Sequence, residues 1–240
     1  MMILAVDTAT ASMSVALRDQ GSLLGEITLQ AGLTHSETLM PSIDSLFRQC
    51  SRRKTQLKAI GCASGPGSYT GIRIGVSTSL GIAYASQIPA FGFSTLEVMA
   101  IPHQHDSSNL ICPVIDARNN RVFASAYYLG KQVISPDNYL ISDFRLLIDQ
   151  AAQAYHISQA LILGSGRLGF FHEGLAGGCR IMVLPDYDAV PRGSVIASMT
   201  EQAYLKRADM SPAESWQELK PYYISLTQAE RNRLKQPEKT

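Results

Sequence analysis

Cysteine is scarce in this chain, and its four copies, Cys50, Cys62, Cys112 and Cys179, stand far apart with no C-x-x-C pair. That spacing argues against a zinc ribbon and a disulfide scaffold, and points to a reducing, cytoplasmic setting. Charge is sparse too, at 17% of residues, with 21 basic side chains against 20 acidic. So little charge beside 45% hydrophobic residues excludes an intrinsically disordered chain. The near-zero net charge argues against a domain that lives by gripping nucleic acid, while leaving room for a local basic patch. No run approaches the roughly 18 apolar residues of a membrane-crossing helix. The opening apolar run, residues 2–6, is too short for a signal peptide and meets Asp7 at once. A soluble protein with no membrane partner is expected. Its 240 residues allow one or two domains and a core that needs no covalent staples.

What is present alternates. Residues 2–6 (MILAV) read as a buried strand, followed by two more at 14–17 and 24–30, with Gly21 and Gly25 marking turns. Leu39, Met40, Ile43, Leu46, Phe47 and Cys50 then recur at helical spacing. Thr34 and Glu37 suggest a capping box at that helix start, and Pro41 predicts a kink or a restart. Residues 59–64 read as a strand, 72–86 as a helix and 88–93 as a strand. Ser94 and Glu97 suggest a second capping box. Strand–helix–strand order of this kind implies parallel strands with crossover helices. The polar stretch 102–109 (PHQHDSSN) breaks the pattern. It places a boundary between a lobe of residues 1–102 and a lobe of residues 103–240, with the last segment free to return to the first lobe. The second half repeats the logic, with a strand ending at Asp116, a hairpin over 121–134, a helix over 144–155, strands at 160–163 and 180–184, and a helix over 195–207. The polar tail from Gln228 is expected to fray.

The strongest local feature is Gly65-Pro66-Gly67-Ser68-Tyr69-Thr70-Gly71-Ile72-Arg73-Ile74-Gly75. It is neither a Walker A loop nor a G-x-G-x-x-G fingerprint. A glycine loop opening a helix can admit a phosphate or another stretch of backbone. Gly67, Gly71, Gly75, Ser79 and Ala83 fall every fourth residue and make a smooth helix stripe. Such a stripe belongs in the core or at a partner interface, and the interface is the expectation. Asp7-Thr8-Ala9-Thr10 reads as a phosphate-facing strand end or as a plain turn. Asp116-Ala117-Arg118 is its counterpart, with Arg118 where a phosphate loop would want glycine. His103, His105 and Asp106 lack a third convincing ligand, so no metal site is expected. His35 at a helix start reads as structural. Gly164-Ser165-Gly166 is not a nucleophile elbow, and no catalytic residue is assigned. Arg48, Arg52, Arg53, Lys54 and Lys58 form a basic run with no acid between. The run reads as a solvated helix end or as a contact for RNA phosphates.

Taken together, 3–10 (ILAVDTAT), 35–41 (HSETLMP), the 65–75 glycine motif, 94–96 (STL) and 115–118 (IDAR) resemble the TsaB (YeaZ) family of tRNA threonylcarbamoyladenosine synthesis. The resemblance implies an α/β, two-lobed, actin-like and sugar-kinase-like fold with duplicated mixed sheets and flanking helices. It implies a non-catalytic partner subunit that binds and activates the TsaD transferase, which modifies the adenosine next to the tRNA anticodon. The helices around 35–50 and 72–86 would form the interface, through His35, Leu39, Ile43, Gly71, Gly75, Ser79 and Ala83. Asp7, Thr8, Thr10, Gly67 and Asp116 would mark a vestigial nucleotide site. The implied partners are TsaD and the ATPase TsaE, with a homodimer when alone and tRNA reached through the complex. No cofactor would be held tightly, with ATP used by the complex. The alternatives are a self-standing weak ATPase or peptidase of the same fold, although no nucleophile–base pair is visible, and a free-standing homodimer with another role.

Overall fold

The computed structural model describes residues 1–30, 34–165, 171, 178–207 and 209–224. Its first sheet has the order β3-β2-β1-β4-β5, built from Met2–Asp7 (β1), Met13–Asp19 (β2), Ser22–Leu29 (β3), Leu57–Gly65 (β4) and Ala90–Ser94 (β5). β1, β4 and β5 run parallel, while β1–β2–β3 form an antiparallel meander. All six residues of β1 are buried, because helices cover both faces of the sheet. On one side lie α1 (His35–Gln49) and α2 (Tyr69–Ser86).

Helix α1 buries Leu39, Ile43, Leu46 and Phe47 and runs unbroken through Pro41. That corrects the expected restart. Pro41 sits early in the helix on its exposed face, so it forfeits only the bond to Glu37. Thr34 and Ser94 are indeed the N-caps of α1 and α3 (Thr95–Ala100), but neither side chain makes a cap bond. A capping box does form at Ser211 and Glu214, at the head of α6 (Pro212–Glu218). Sequence reading missed that helix, although Ser-Pro-x-Glu is the pattern that signals one.

The second sheet repeats the first, in the order β10-β9-β6-β7-β8. Its strands are Asn109–Asp116 (β6), Arg121–Tyr128 (β7), Lys131–Leu140 (β8), Gln159–Ser165 (β9) and Arg180–Val183 (β10). The chain visits the five positions in the same sequence in both sheets, which is the duplicated two-lobed topology the resemblance implies. Helix α4 (Ile141–Ala154) covers one face with Phe144, Ile148 and Ala152. α3 covers the other, packing Leu96, Met99 and Ala100 against Ile111, Ile115, Tyr127, Leu161 and Leu163.

The chain then crosses back. Helix α5 (Gly193–Lys206) lies on β1, β2 and β4 of the first sheet, and α6 lies beside β5. Glu26 of β3 fixes the start of α5. Its carboxylate accepts from the Ser194 backbone N–H at 3.0 Å and from the Ser194 hydroxyl at 3.1 Å, while Gly193 N donates to Ser14 Oγ at 2.9 Å. Negative charge at a helix N-terminus is favourable on dipole grounds too. Gly61 of β4 makes room for the helix, since a Cβ there would overlap the Thr200 hydroxyl. α6 covers the open edge of β5: Ala90 N donates to Ser215 Oγ at 2.9 Å, and Trp216 Nε1 donates to the Ile88 carbonyl at 2.8 Å.

Candidate functional site

The residues singled out in the first half converge on the carboxyl ends of β1 and β4. Asp7, Thr8 and Thr10 are all buried in the β1–β2 turn. Asp7 Oδ1 accepts from Ala9 N at 3.1 Å, while Oδ2 is buried without a partner. Burial pushes the Asp7 carboxyl up to about 7, against the pull of the Ala9 and Thr8 backbone N–H groups. The Thr8 hydroxyl donates to the Gly71 carbonyl at 2.7 Å. Thr10 Oγ1 pairs with Ser12 Oγ at 2.8 Å, and its carbonyl accepts from His35 Nε2 at 2.9 Å. His35 is therefore a strut between α1 and this turn.

The glycine motif closes over the same turn. Ser68 N donates to the Ala9 carbonyl at 2.7 Å. A Cβ on Gly67 would overlap the Ala9 carbonyl oxygen, and one on Gly71 would overlap that of Thr8. At Gly75 an added Cβ would stand 2.5 Å from Thr8 Oγ1 and 3.3 Å from Cys62 Sγ. The glycines admit another stretch of this chain rather than a phosphate. The Thr8 hydroxyl is committed to the Gly71 carbonyl and the Thr10 hydroxyl to Ser12, and Asp7 has no exposed oxygen to offer. The residues present do not fit a nucleotide phosphate. Asp116 belongs to the second sheet. It is exposed at the end of β6, and its Oδ1 accepts from Arg118 N at 2.7 Å within its own turn. Arg118, Asn119 and Asn120 all adopt left-handed backbone angles, with φ of 62°, 51° and 59°. Arg118 thus occupies the glycine-like conformation that its position implies, carrying a long cationic side chain into solvent.

The small-residue stripe needs a correction. Gly71, Gly75, Ser79 and Ala83 are buried against the chain's own first sheet, as are Leu39 and Ile43 on α1. They are not free to touch a second chain. The outward residues are their neighbours, namely Met40 and Pro41 on α1 and Tyr69, Arg73, Ser77, Gly81 and Tyr84 on α2. A Cβ on Gly81 would meet nothing within 4 Å. Arg73 lies 5.0 Å over the Tyr69 ring, and Tyr69 stacks on Tyr223 with centroids 5.0 Å apart. Exposed aromatic and arginine side chains on adjoining helices have the composition of a docking face.

Sequence reading missed a second feature. An open cleft of about 680 Å³ lies between α3, the β7–β8 hairpin and α5, with Phe93, Glu97, Tyr127, Met199, Gln202 and Lys206 among its walls. It sits at the opposite end of β7 from Asp116, and burial raises the Glu97 and Tyr127 pKa values. Elsewhere, Asp106 accepts from Ser108 N and Asn109 Nδ2, and His103 faces the Asp188 carbonyl at 3.5 Å. Among the described residues no three His, Cys, Asp or Glu side chains converge as metal ligands, and no helix is long and apolar enough to cross a membrane. Gly166 and the tail from Gln228 lie outside the described residues.

Comparison with known proteins places this geometry. Residues 25–181 match the family model described as "TsaD: tRNA N6-adenosine threonylcarbamoyltransferase". A Bacillus subtilis protein named tRNA threonylcarbamoyladenosine biosynthesis protein TsaB is 34% identical over 148 residues, which are 60% of this chain and 64% of that one. The match thus spans less than two thirds of that relative. The Haemophilus influenzae protein of the same name is 27% identical over 92% of both chains. A solved Pseudomonas aeruginosa protein, described as similar to peptidase YeaZ, superposes with a TM-score of 0.72 at 23% identity. It covers 93% of this chain and 99% of its own, and carries the fold alone. The two-sheet fold is thus shared with the Pseudomonas aeruginosa protein, and the chain, whose relatives carry the TsaB name, belongs to the family of the tRNA N6-adenosine threonylcarbamoyltransferase model.

Proposed function

We propose that this chain is the non-catalytic partner subunit of a tRNA threonylcarbamoyladenosine synthesis complex, and that it binds and activates a TsaD-type transferase. The names of its relatives support the pathway. The observation that carries the division of labour is the closure of the glycine loop on the β1–β2 turn, where the Ala9 and Thr8 carbonyls take the space a phosphate would need. On this reading the kinase-like scaffold is kept for its outer surface. The transferase docks on the outward faces of α1 and α2, around Tyr69, Arg73, Gly81 and Tyr84. The same faces pair two copies when the transferase is absent. TsaE joins the assembled pair in the cytoplasm, ATP is used by the complex, and this chain holds no cofactor of its own.

Light scattering after gel filtration tests the reading, on the chain alone and mixed with the TsaD of its own organism. A one-to-one pair that replaces a homodimer is expected. Gly81→Arg should abolish the pair without lowering the thermal midpoint, because that position faces open space. Absence of any complex at micromolar concentration, with TsaE, ATP and tRNA also supplied, would overturn the proposal.

A further inference from the structure

The basic run of the sequence has a definite place in the fold. Arg48 lies in the last turn of α1, Arg53 precedes and Lys54 begins the 3-10 turn Lys54–Gln56, and Lys58 is the second residue of β4. Together with Arg52 they put five of the 21 basic residues, and none of the 20 acidic ones, within eleven positions. The rest of the chain is therefore net acidic, and the positive charge is concentrated at one end of the first sheet. That end holds the amino ends of β1 and β4, opposite the Asp7 and glycine-loop end.

All five side chains are exposed. Lys54 pairs with Asp44. Arg52 reaches Asp19 at 3.8 Å, but that carboxylate already serves the N-terminal ammonium at 3.2 Å. Among the described residues, Arg48, Arg53 and Lys58 have no acidic partner. Repulsion among so many unneutralised cations is unfavourable within the fold, so the fold alone gives no reason for the cluster. The patch also has few anchors for a protein partner. Phe47 beside it is 3% exposed, and Met40 and Pro41 are the nearest outward apolar residues. The exposed Tyr69 and Tyr84 lie on α2 instead. Unpaired arginine and lysine side chains without aromatic anchors suit a sugar–phosphate backbone, which asks for charge and hydrogen-bond donors at intervals.

We infer that the surface formed by Arg48, Arg52, Arg53, Lys54 and Lys58 contacts the phosphate backbone of the RNA substrate. The inference rests on the functional reading above, and it assigns this chain a direct share in holding the tRNA. Arg48, Arg53 and Lys58 make the principal contacts, because their charges are not already committed. The contact is independent of sequence. It fixes how the RNA lies on the assembly, and base recognition falls to other surfaces.

The test uses the complex of this chain with its transferase and an unmodified tRNA transcript. Affinity is measured by fluorescence anisotropy from about 50 to 200 mM salt, with pairing read by light scattering on the same samples. The variant is R48E/R53E/K58E, which breaks no ion pair, beside the charge-preserving R48K/R53K/K58R. The reversed charges should weaken binding at least tenfold at about 100 mM salt and reduce the slope of log K against log salt by about 2 to 3. The charge-preserving variant should bind as the parent does, and pairing and thermal midpoint should hold in both. Unchanged affinity and slope would overturn the inference and leave the proposed function intact. Loss of pairing with an unchanged slope would overturn it too, because the patch would then face an acidic protein surface. If the parent chain does not pair at all, the functional reading falls. The same titration on the chain alone then still decides the RNA contact.

Discussion

Asp7 offers the sharpest quantitative test of the packing around the glycine loop. Its carboxyl is fully buried, one oxygen has no partner, and burial pushes it from the usual 3.8 to about 7. In the window between those values the folded chain keeps the proton and the unfolded chain has lost it. Folding therefore takes up a proton there, and stability falls as pH rises. Below about pH 4 both states are protonated and the whole contribution is present, and above about pH 7 it is gone. A shift of about three units corresponds to roughly 4 kcal/mol in all, of which about 2.5 kcal/mol falls between pH 5 and pH 8. Asp7→Asn replaces the acid by a neutral group of the same shape that can still accept from Ala9 N. The assay is urea unfolding of both proteins at several pH values, read as the difference in unfolding free energy. That difference should already favour Asp7→Asn by roughly 1.5 kcal/mol near pH 5, and by roughly 4 kcal/mol at pH 8. Taking the difference cancels every other titrating group. A difference that does not change with pH, or one that grows in favour of aspartate, would refute the reasoning.

Two glycines of α2 should respond in opposite directions. Gly71→Ala sets a methyl group against the Thr8 carbonyl and should cost about 2 kcal/mol or more in urea unfolding. Gly81→Ala meets open space and should add about 0.5–1 kcal/mol through helix propensity. Glu26→Ala removes the acceptor that holds the start of α5 and should cost about 1–2 kcal/mol, seen as a lower urea midpoint at unchanged m.

The fold was legible wherever hydrophobic period and turn chemistry agreed. The apolar run of β1, the helix face of Leu39, Ile43, Leu46 and Phe47, and the glycine loop between β4 and α2 all stand in the structure where the residues place them. What sequence could not decide was direction. The stripe from Gly71 to Ala83 fits an interface or the core by spacing alone, and the expected interface proved to be core. Only the β1–β2 turn lying against it shows which, because the choice depends on residues some sixty positions away. The capping boxes at Thr34 and Ser94 failed for a similar reason. A Ser/Thr-x-x-Glu spacing permits the reciprocal bonds, but neither side chain takes them. The cleft beside Glu97 gave no local signal at all, since its walls come from three distant segments.

The return of α5 and α6 to the first sheet has a consequence for how the protein is made. That sheet is threaded by the first strands of the chain but covered on one face by Ile196, Ala197 and their neighbours. At about 5–20 residues per second, the roughly 100 residues from α3 to α5 keep that face waiting for on the order of 5–20 s during synthesis. The second sheet is contiguous in sequence and can form while the first is still open. The lobe that begins first is therefore completed last, and its bare apolar face is what a nascent-chain chaperone would meet. Closure ends when α6 seats its tryptophan against β5, so the chain's single indole reports the last step of its own folding.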